Sequence, residues 1–426
     1  MGTFKINFQL HELDEVMPWG NRVSQWMHWF GLTDGVLWID AGDKTIYEYS
    51  EAAKAYFDSE QSYNNYQISR FMEDFSETFW YVAESIPEEL YQVIDTFETK
   101  AENWKNTHFE DEDEVFDRFY EEEYNELTQW YFNRTFTSGH LVGGPKIGCF
   151  RCGDKIRIIW ESVREHILEN GNSIWTAPQG SVELMYDEFI AAVTEFFDSF
   201  FDAMDHQIGK AIVKDWKKVS VDKERLVEEN EERKEDFYQA VSFLTSSYEE
   251  RCKFRTDADT DWQKVLLLYD KMEKETKQCQ DIVNRLAAFI KNNTVHGSNL
   301  YWYPLDELKN GIEAVAYRLD SIYADDRISL LEELMERCNI EKVDTFQMDY
   351  LRLFENEEML ELLYEKEGDT YSFPWYVETF YFDKSHQWLI YVSHEKTITF
   401  SGEALIAAAL ALIPEEYLYG KNLLVR

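Results

Sequence analysis

Positive charge is scarce in this chain of 426 residues, which carries 42 Lys and Arg against 83 Asp and Glu. The formal net charge is therefore −41. Such a chain repels phosphate backbones and anionic lipid surfaces, so we expect no direct binding to nucleic acid and none to membranes. Acidic chains are often disordered, but 16% of these residues are aromatic and 44% are hydrophobic. The composition therefore predicts a folded, strongly anionic protein.

Loop-forming residues are also few, with 7 Pro and 18 Gly. This favours helices joined by short connections over a many-stranded sandwich. The longest apolar run, residues 404–413, is shorter than the roughly 20 residues that span a bilayer. The first ten residues lack the basic and apolar regions of a signal peptide, and the five Cys are odd in number and scattered. We therefore expect a cytoplasmic protein with reduced thiols.

The hydrophobic pattern predicts strands first and helices afterwards. Residues 4–10 alternate apolar and polar side chains, which is the period of a half-buried strand. Two β-rich runs flank Gly42 and Asp43, which predicts a hairpin. The helical period dominates residues 50–135, and a second helical pattern predicts a long Phe-rich helix with Ser181 as its N-cap.

Residues 246–261 show no sustained periodicity, and we expect a linker there between two domains, residues 1–245 and 262–426. The second domain begins with an amphipathic helix and ends with β-rich segments and a helix over residues 402–413. Both halves thus combine helices with a few strands. The predicted fold class is α+β: mainly helical, with a small antiparallel sheet in each of two domains.

The segments FKINFQLHELDEVMPWGN, residues 4–21, and MHWFGLTDGVLWIDAGDKTIYEYS, residues 27–50, are distinctive in their Trp and Gly spacing. They resemble the opening of a bacterial family of unknown function, the domain-of-unknown-function family 5984. The resemblance continues through Trp160 and Trp175 to about residue 240. It implies no activity, so no residue role carries over. A second segment, QWLIYVSHEKTITFSG at residues 387–402, resembles a motif of small bacterial immunity-type proteins.

The run HWFGLTDG, residues 28–35, supports two interpretations. In one, His28 and Asp34 frame a small polar pocket, because aromatic walls with a few polar groups are typical of ligand sites. The aromatic residues expected around that pocket are Trp19, Trp26, Trp29 and Trp38. In the other, the run is a structural corner in which Gly31 and Gly35 permit turns, Asp34 bonds its own backbone and the rings pack in the core.

Acid is concentrated between Glu84 and Glu126, where sixteen Asp or Glu accompany three bases. The centre of this run is Glu110, Asp111, Glu112, Asp113, Glu114, Asp117, Glu121, Glu122 and Glu123. Phe116, Phe119 and Tyr120 follow helical spacing, so we expect one buried face while the carboxylates project together. Like charges on a helix cost roughly a few tenths of a kcal/mol per pair, so local stability does not explain them. The run predicts a surface for a basic protein partner, or alternatively a solvated face that maintains solubility.

Cys149 and Cys152 form half of a zinc site, but no second pair follows at the expected spacing. The residues after Cys152 fit a turn between two apolar runs better. Arg134 and His140 have a spacing known from helical ribonucleases, but the interval between them is typical of a loop. We expect neither a metal nor a cofactor.

Two further motifs are incomplete. Asp257, Asp259 and Asp261 begin like a calcium loop, yet Trp262 stands where Gly is required, so N-capping of the next helix explains them better. His394 and Glu395 are adjacent acid–base groups without an identifiable nucleophile, and strand alternation would separate them. We therefore assign no catalytic residue.

The charge, the missing catalytic set and the two resemblances favour a non-enzymatic acidic binding protein. It would be immunity- or antitoxin-like and neutralise a basic effector, such as a toxin or nuclease, through its anionic surface. The alternative is an enzyme or nucleotide-processing component of a bacterial defence system, with its site in the Trp-lined pocket around His28 and Asp34. A third interpretation is an oligomeric structural component.

Overall fold

The computed structural model describes residues 3–21, 24–108, 114–138, 141, 144–162, 168, 171–293, 302, 304–305, 307–309, 313–347, 352–359, 365–367, 370–372, 378–383 and 388–419. The chain divides into two compact units, residues 1–98 with 125–266 and residues 99–124 with 267–426. The division into domains 1–245 and 262–426, with a linker at residues 246–261, stays a prediction from the sequence. No helix in the described ranges is both long and apolar enough to cross a membrane.

The strands of the first unit are β1 (Phe4–Leu10), β2 (Trp19–Gly20), β3 (Gln25–Met27), β4 (Asp34–Ala41), β5 (Lys44–Ile46), β6 (Asn65–Gln67), β7 (Thr135–Thr137), β8 (Lys146–Cys152), β9 (Lys155–Glu161), β10 (Gln179–Met185) and β11 (Val219–Val221). Its helices are α1 (Glu51–Phe57), α2 (Ile68–Glu77), α3 (Phe79–Val82), α4 (Glu88–Tyr91), α7 (Asn125–Phe132), α8 (Tyr186–Val213), α9 (Lys223–Phe243) and α10 (Tyr248–Arg251), with a 3-10 helix over Trp29–Thr33. Helices α5 (Ile94–Asn106) and α11 (Trp262–Asn293) contain the unit boundaries.

Strand β4 is the centre of the first sheet, because β1, β5 and β6 all pair with it in antiparallel register. Burial alternates along β4, so Leu37 and Ile39 face the core while Asp34 and Trp38 lie on the outer face. Gly42, at φ +67°, turns the chain from β4 into β5. The predicted strand over residues 4–10 and the predicted hairpin are both confirmed.

Helix α8 covers the inner face of this sheet. Its buried stripe has gaps of three and four residues and comprises Phe189, Val193, Phe196, Phe200, Met204 and Ile208. The ring of Phe8 in β1 lies 5.8 Å, centroid to centroid, from those of Phe196 and Phe200. These aromatic contacts join α8 to the sheet in one core.

The prediction that Ser181 caps helix α8 is wrong. Ser181 lies inside β10, and the helix begins at Tyr186, where the Glu188 side chain accepts from the backbone N–H of Met185 at 3.1 Å. Strand alternation therefore continues to the helix without an intervening loop. Strands β10, β9, β8 and β7 form a second antiparallel sheet, in which Gly153 at φ +60° makes the predicted turn between β8 and β9. A third, small sheet pairs β11 with β3 in parallel and β3 with β2 in antiparallel.

The second unit contains α6 (Glu114–Phe119), a π-helical turn over Tyr120–Tyr124, β12 (Val315–Arg318), α12 (Leu319–Ala324), α13 (Ser329–Cys338), β13 (Lys342–Gln347), β14 (Arg352–Glu358), β15 (Glu365–Glu367), β16 (Thr370–Ser372), β17 (Thr379–Phe382), β18 (Leu389–Ser393), β19 (Thr397–Ser401), α14 (Glu403–Leu412) and a 3-10 helix over Glu415–Tyr417. Strands β12, β19, β18, β17, β13 and β14 form, in that order, an antiparallel sheet. Helices α13 and α14 pack against each other, and α14 also packs on β19. The α+β prediction, with helices and small antiparallel sheets, is confirmed.

Candidate functional site

A cavity of about 520 Å³ lies beside the first sheet, where β4 begins. Its polar lining residues are His11, Glu15, Asp34, Asn65, Gln67 and Arg70. The volume lies within the roughly 300–1,000 Å³ that is usual for small-molecule sites. Strand β6 and the first turn of α2 supply one wall, and the segment after β1 supplies another.

Asp34 and Arg70 are joined in this cavity through Gln67. Asp34 pairs with Gln67 across strands β4 and β6, and the side chain of Gln67 bonds the Asp34 carboxyl. The same side chain accepts from Nε of Arg70 at 2.7 Å, because an amide offers both an acceptor and donors. The Arg70 guanidinium lies 4.7 Å from the ring centroid of Phe30. Burial raises the pKa of the Asp34 carboxyl above its usual value.

Two histidines lie near Asp34 and have different roles. His11 lines the cavity, and its Nε2 is 3.1 Å from Oδ1 of Asn65. His28 caps the 3-10 helix over Trp29–Thr33, since its Nδ1 accepts from the backbone N–H of Gly31 at 3.4 Å. Burial lowers the pKa of His28 below its usual value. Both histidines interact electrostatically with Asp34, but His28 is absent from the described lining of the cavity.

The tryptophans predicted to surround this site have separate neighbours. Trp19 is 37% exposed and packs edge-on against His28, with ring centroids 4.6 Å apart. Trp29 is fully buried and donates from Nε1 to Oδ1 of Asn230 at 2.9 Å. Trp38 stacks on Tyr63 with centroids 4.4 Å apart, and Trp26 is exposed.

The described lining of the cavity contains Asp34 but none of those tryptophans. The physical reason is the 3-10 turn, which buries Trp29 while the strand alternation of β4 keeps Asp34 on the outer face. Gly35 was expected in a turn, yet it lies within β4. A Cβ at Gly35 would sit 2.3 Å from the carbonyl oxygen of Gln9, so the residue permits a close approach of β1. Ligand binding at His28, Asp34 or the tryptophans stays a prediction.

His11, Gln67 and Arg70 were not among the predicted site residues. Residues 34 and 67 lie together because β6 pairs with β4, and no local sequence motif predicts that strand pairing. Arg70 then follows Gln67 by one helical turn, which brings its Nε to the amide. A single sequence carries no signal for a cross-strand pair at this separation.

The acidic run is only partly within the described residues. Glu110, Asp111, Glu112 and Asp113 lie outside them, and Glu114 begins α6 with a side chain that also lies outside. Asp117, Glu121 and Glu122 are exposed, and we call these three residues the acidic face. Glu123 is half-buried and bonds Lys271 of α11.

The aromatic residues of this segment divide between inside and outside. Phe119 is buried and stacks on His108, with ring centroids 3.9 Å apart, and it packs edge-on against Trp104. Tyr120 is 38% exposed, so its predicted burial beside Phe119 is wrong. The regular α-helical spacing that the prediction assumed ends at Tyr120, where a π-helical turn over Tyr120–Tyr124 begins. Burial of His108 lowers the pKa of its imidazole.

Residues of the acidic run contact α11 through polar groups around Glu275. The indole N–H of Trp104 donates to Oε2 of Glu275 at 2.7 Å, and Nε2 of His108 lies 3.7 Å from that oxygen. Lys271, which bonds Glu123, is 3.9 Å from the other oxygen of Glu275. Trp104 is fully buried, so these bonds hold the end of α5, which precedes the acidic face, in a fixed position on α11.

His394 has a partner that the sequence did not indicate. Its Nδ1 bonds Glu378, a buried carboxylate that also accepts from the hydroxyl of Tyr391. Its Nε2 lies 3.4 Å from Glu395, so the turn after β18 places the adjacent His and Glu together rather than apart. A half-exposed imidazole oriented by a buried carboxylate is able to transfer protons.

The cysteines and the Asp-rich loop take structural positions. Cys149 is buried in β8, and Sγ of Cys152 donates to Glu88 at 3.1 Å; burial raises the pKa of Cys152 to about 11. The predicted N-cap at Asp261 is confirmed, because its carboxylate accepts from the backbone N–H of Lys264 at 3.2 Å. Within the described residues, no group of three or more His, Cys, Asp or Glu has a metal-binding arrangement. Of the ribonuclease-like pair, Arg134 is fully buried and His140 lies outside the described residues.

The sequence of residues 5–267 matches a family model described as "Family of unknown function (DUF5984)". The match covers more than half of the chain. The chain belongs to the DUF5984 family. No curated protein and no solved structure matches it. In this DUF5984 protein the matched region contains every described residue of the cavity around Asp34, whereas His394 and Glu378 lie beyond it.

Proposed function

We propose that this DUF5984 protein is a cytoplasmic, non-enzymatic binding protein of the bacterial immunity or antitoxin type. It neutralises a basic effector, such as a toxin or nuclease, by covering a cationic surface of that effector with the acidic face. From the sequence, we expect Glu110–Glu114 and Glu123 to belong to the same binding surface. The observation that carries the proposal is that Asp117, Glu121 and Glu122 are exposed and form no ion pair with the residues that the structure describes.

Among the described residues, the acidic face has no counter-ion. No Lys or Arg of the described ranges lies within ion-pair distance of its three carboxylates, whereas Glu123 is paired with Lys271 and Glu102 with Lys105. Repulsion between neighbouring carboxylates opposes helix formation, so the acidic face does not stabilise its own segment. A cationic partner would relieve that repulsion and would associate faster because of the attractive field.

Tyr120 supports a protein partner rather than a solvated surface. It is exposed between Asp117 and Glu121, and its ring stacks on buried Tyr124 with centroids 5.3 Å apart. Exposed aromatic side chains held in a fixed position are frequent anchors in protein interfaces, where they supply affinity while charge supplies rate. The resemblance of residues 387–402 to immunity-type proteins supports the same class.

Direct nucleic-acid binding does not fit the charge of −41, because it would add repulsion instead of releasing counterions. A nuclease, in contrast, presents a basic surface that is complementary to acid. A protein that imitates the charge of a phosphate backbone would compete with nucleic acid for that surface. Neutralisation therefore requires occlusion by the acidic face and no catalytic chemistry.

The experiment measures association kinetics with the basic protein that the wild-type chain retains from an extract of its native host. Glu121→Lys with Glu122→Lys reverses charge on the acidic face, and Glu231→Lys with Glu235→Lys reverses the same charge on exposed positions of α9. We expect the first variant to associate about tenfold more slowly and with a weaker salt dependence. The control variant should stay close to wild type.

Equal slowing in both variants would attribute binding to net charge alone and contradict a localised interface. Unchanged kinetics in the first variant would exclude the acidic face. Co-expression with the retained partner then tests neutralisation: wild type should relieve the growth defect that the partner causes, and the first variant should not. A partner that is harmless alone would contradict the immunity type.

The second candidate function is an enzyme or nucleotide-processing component of a bacterial defence system. The specific observation in its favour is the cavity, where a carboxyl with a burial-raised pKa, Asp34, shares the lining with His11 and Arg70. Incubation with a nucleotide panel, followed by chromatography, tests it. Turnover that is lost in Asp34→Asn at unchanged melting temperature would support this function, and no turnover in wild type would contradict it.

A further inference from the structure

The cavity of the first unit holds opposite charges that do not neutralise each other. Asp34 and Arg70 both line it, yet within the described lining they form no ion pair, because the side chain of Gln67 stands between them. Gln67 bonds both groups, so its amide and two hydrogen bonds separate the carboxyl from the guanidinium. A cavity that keeps a carboxylate and a guanidinium apart is complementary to a ligand with both charges.

Arg70 is held in an orientation that suits a carboxylate. Its Nε bonds Gln67 and its guanidinium lies over the Phe30 ring, so two contacts restrict its rotation before any ligand arrives. A guanidinium bonded through Nε retains its terminal NH2 groups as further donors, and a carboxylate is able to accept from such donors in pairs. Restricting Arg70 in advance reduces the entropy cost of binding.

The acidic part of the lining suits an ammonium group. Asp34 is held by the rigid β4–β6 pairing, and Glu15 adds a second carboxylate to the wall. Because burial disfavours the charged form of Asp34, a cationic group placed beside it would recover part of that desolvation cost. Asn65 and His11 add neutral hydrogen-bonding groups.

We infer that this cavity binds a small zwitterion of the α-amino-acid type, with its carboxylate on Arg70 and its ammonium on Asp34. The inference goes beyond both proposed functions, and shares with the second only the location of the site. A purely anionic ligand such as a nucleotide meets two carboxylates in the lining, and a purely cationic one leaves Arg70 unpaired. An α-amino acid or short peptide satisfies both ends.

The test begins with a thermal-shift screen of the full-length protein against the twenty L-α-amino acids, a set of dipeptides, and AMP and ATP. For the tightest ligand, calorimetry then compares the methyl ester, which removes the carboxylate charge, and the N-acetyl derivative, which removes the ammonium charge. We expect each derivative to bind at least tenfold more weakly. Binding of AMP or ATP without any amino acid or dipeptide would overturn the inference and favour the second candidate function.

Variants assign each charge to its residue. Arg70→Gln should weaken the parent ligand at least tenfold but leave the affinity of the methyl ester nearly unchanged, and Asp34→Asn should show the same pattern with the N-acetyl derivative. Arg70→Lys keeps the charge but removes the planar fork, and should give an intermediate loss. Arg118→Gln and Asp215→Asn, at exposed positions elsewhere, are the controls.

Three results would overturn the inference. They are no thermal shift with any amino acid or dipeptide, equal binding of the ester and the parent, and losses in Arg70→Gln that are additive with those of the ester. Binding without turnover would leave the inference standing and contradict only an enzymatic role. If Arg70→Gln lowers the melting temperature, Arg70→Lys takes its place, because its intermediate affinity discriminates in the same way.

Discussion

Nη2 of Arg134 lies 2.8 Å from Oε2 of Glu84, and the Arg134 side chain is completely buried. Glu84 also accepts from the hydroxyl of Thr260 at 3.0 Å and from the indole N–H of Trp262 at 2.9 Å. Burial lowers the pKa of the Arg134 guanidinium, and the adjacent carboxylate opposes that shift. Glu84 is therefore the counter-ion that makes a buried charge tolerable in the first unit.

Glu84→Gln should lower the free energy of unfolding by about 3–5 kcal/mol, because it leaves the buried guanidinium uncompensated. The control is Glu333→Gln in α13, whose partner Arg337 lies 2.9 Å away on the surface, and which should cost less than about 0.5 kcal/mol. Urea denaturation of both variants measures the difference. A loss below about 1 kcal/mol for Glu84→Gln would contradict the role of the pair.

His28→Ala should destabilise the protein by about 1 kcal/mol, because the N–H of Gly31 loses its capping acceptor. His28→Asn should retain most of the stability, since Asn is also an N-cap. Burial lowers the pKa of His28, so the unfolded chain binds the proton more readily and stability should fall as the pH drops through about 6.5. Melting temperatures at pH 8 and pH 5.5 check both effects; a pH dependence in His28→Asn equal to wild type would assign the slope to other groups.

Gly35→Ala should destabilise by about 2 kcal/mol or more, since the added Cβ would approach the Gln9 carbonyl oxygen to 2.3 Å and push β1 from β4. Gly209→Ala is the matched control. Gly209 lies in α8 with nothing within 4 Å of an added Cβ, so this change should stabilise by up to about 1 kcal/mol. Chemical denaturation gives both values, and similar effects at the two sites would refute the steric account.

Cys152 should react slowly despite its partial exposure. Burial and the bond to Glu88 raise its pKa to about 11, so at pH 8 alkylation should be about 100-fold slower than for a free thiol of pKa about 8.5. Glu88→Gln should accelerate the reaction severalfold, and Glu89→Gln, which removes a weaker influence, should do so less. Iodoacetamide labelling followed by peptide mass spectrometry reports Cys152 separately. Labelling as fast as the free thiol would contradict the raised pKa.

Local pattern and non-local pairing explain what the sequence did and did not reveal. The strand over residues 4–10, the turn at Gly42 and the Phe-rich face of α8 follow from periodicity, which each segment carries by itself. Ser181 was misassigned because strand alternation in β10 continues directly into the helix. The π-helical turn that begins at Tyr120 also adds no visible signal to a helical pattern.

The polar contacts of the candidate sites depend on distant residues. Asp34 and Gln67 belong to strands that meet only in the folded sheet, and Glu378 reaches His394 across paired strands. The sequence thus predicted Asp34 as a site residue without identifying Arg70. The sequence indicates which single residues have reactive or charged side chains. Which of them lie close together depends on the register of the sheet, which the sequence does not reveal.

Strand β4 encodes cavity and core in the same eight residues. Its alternation places Asp34 outside and Leu37 and Ile39 inside, and hydrogen bonds to β1 on one side and to β5 and β6 on the other hold that phase. A slip of one residue would exchange the two faces, burying a carboxylate and exposing the aliphatic side chains. An insertion or deletion of one residue within β4 would therefore disrupt the core and displace Asp34 from the cavity at the same time. The position of this carboxyl is thus fixed by the same strand register that the fold requires.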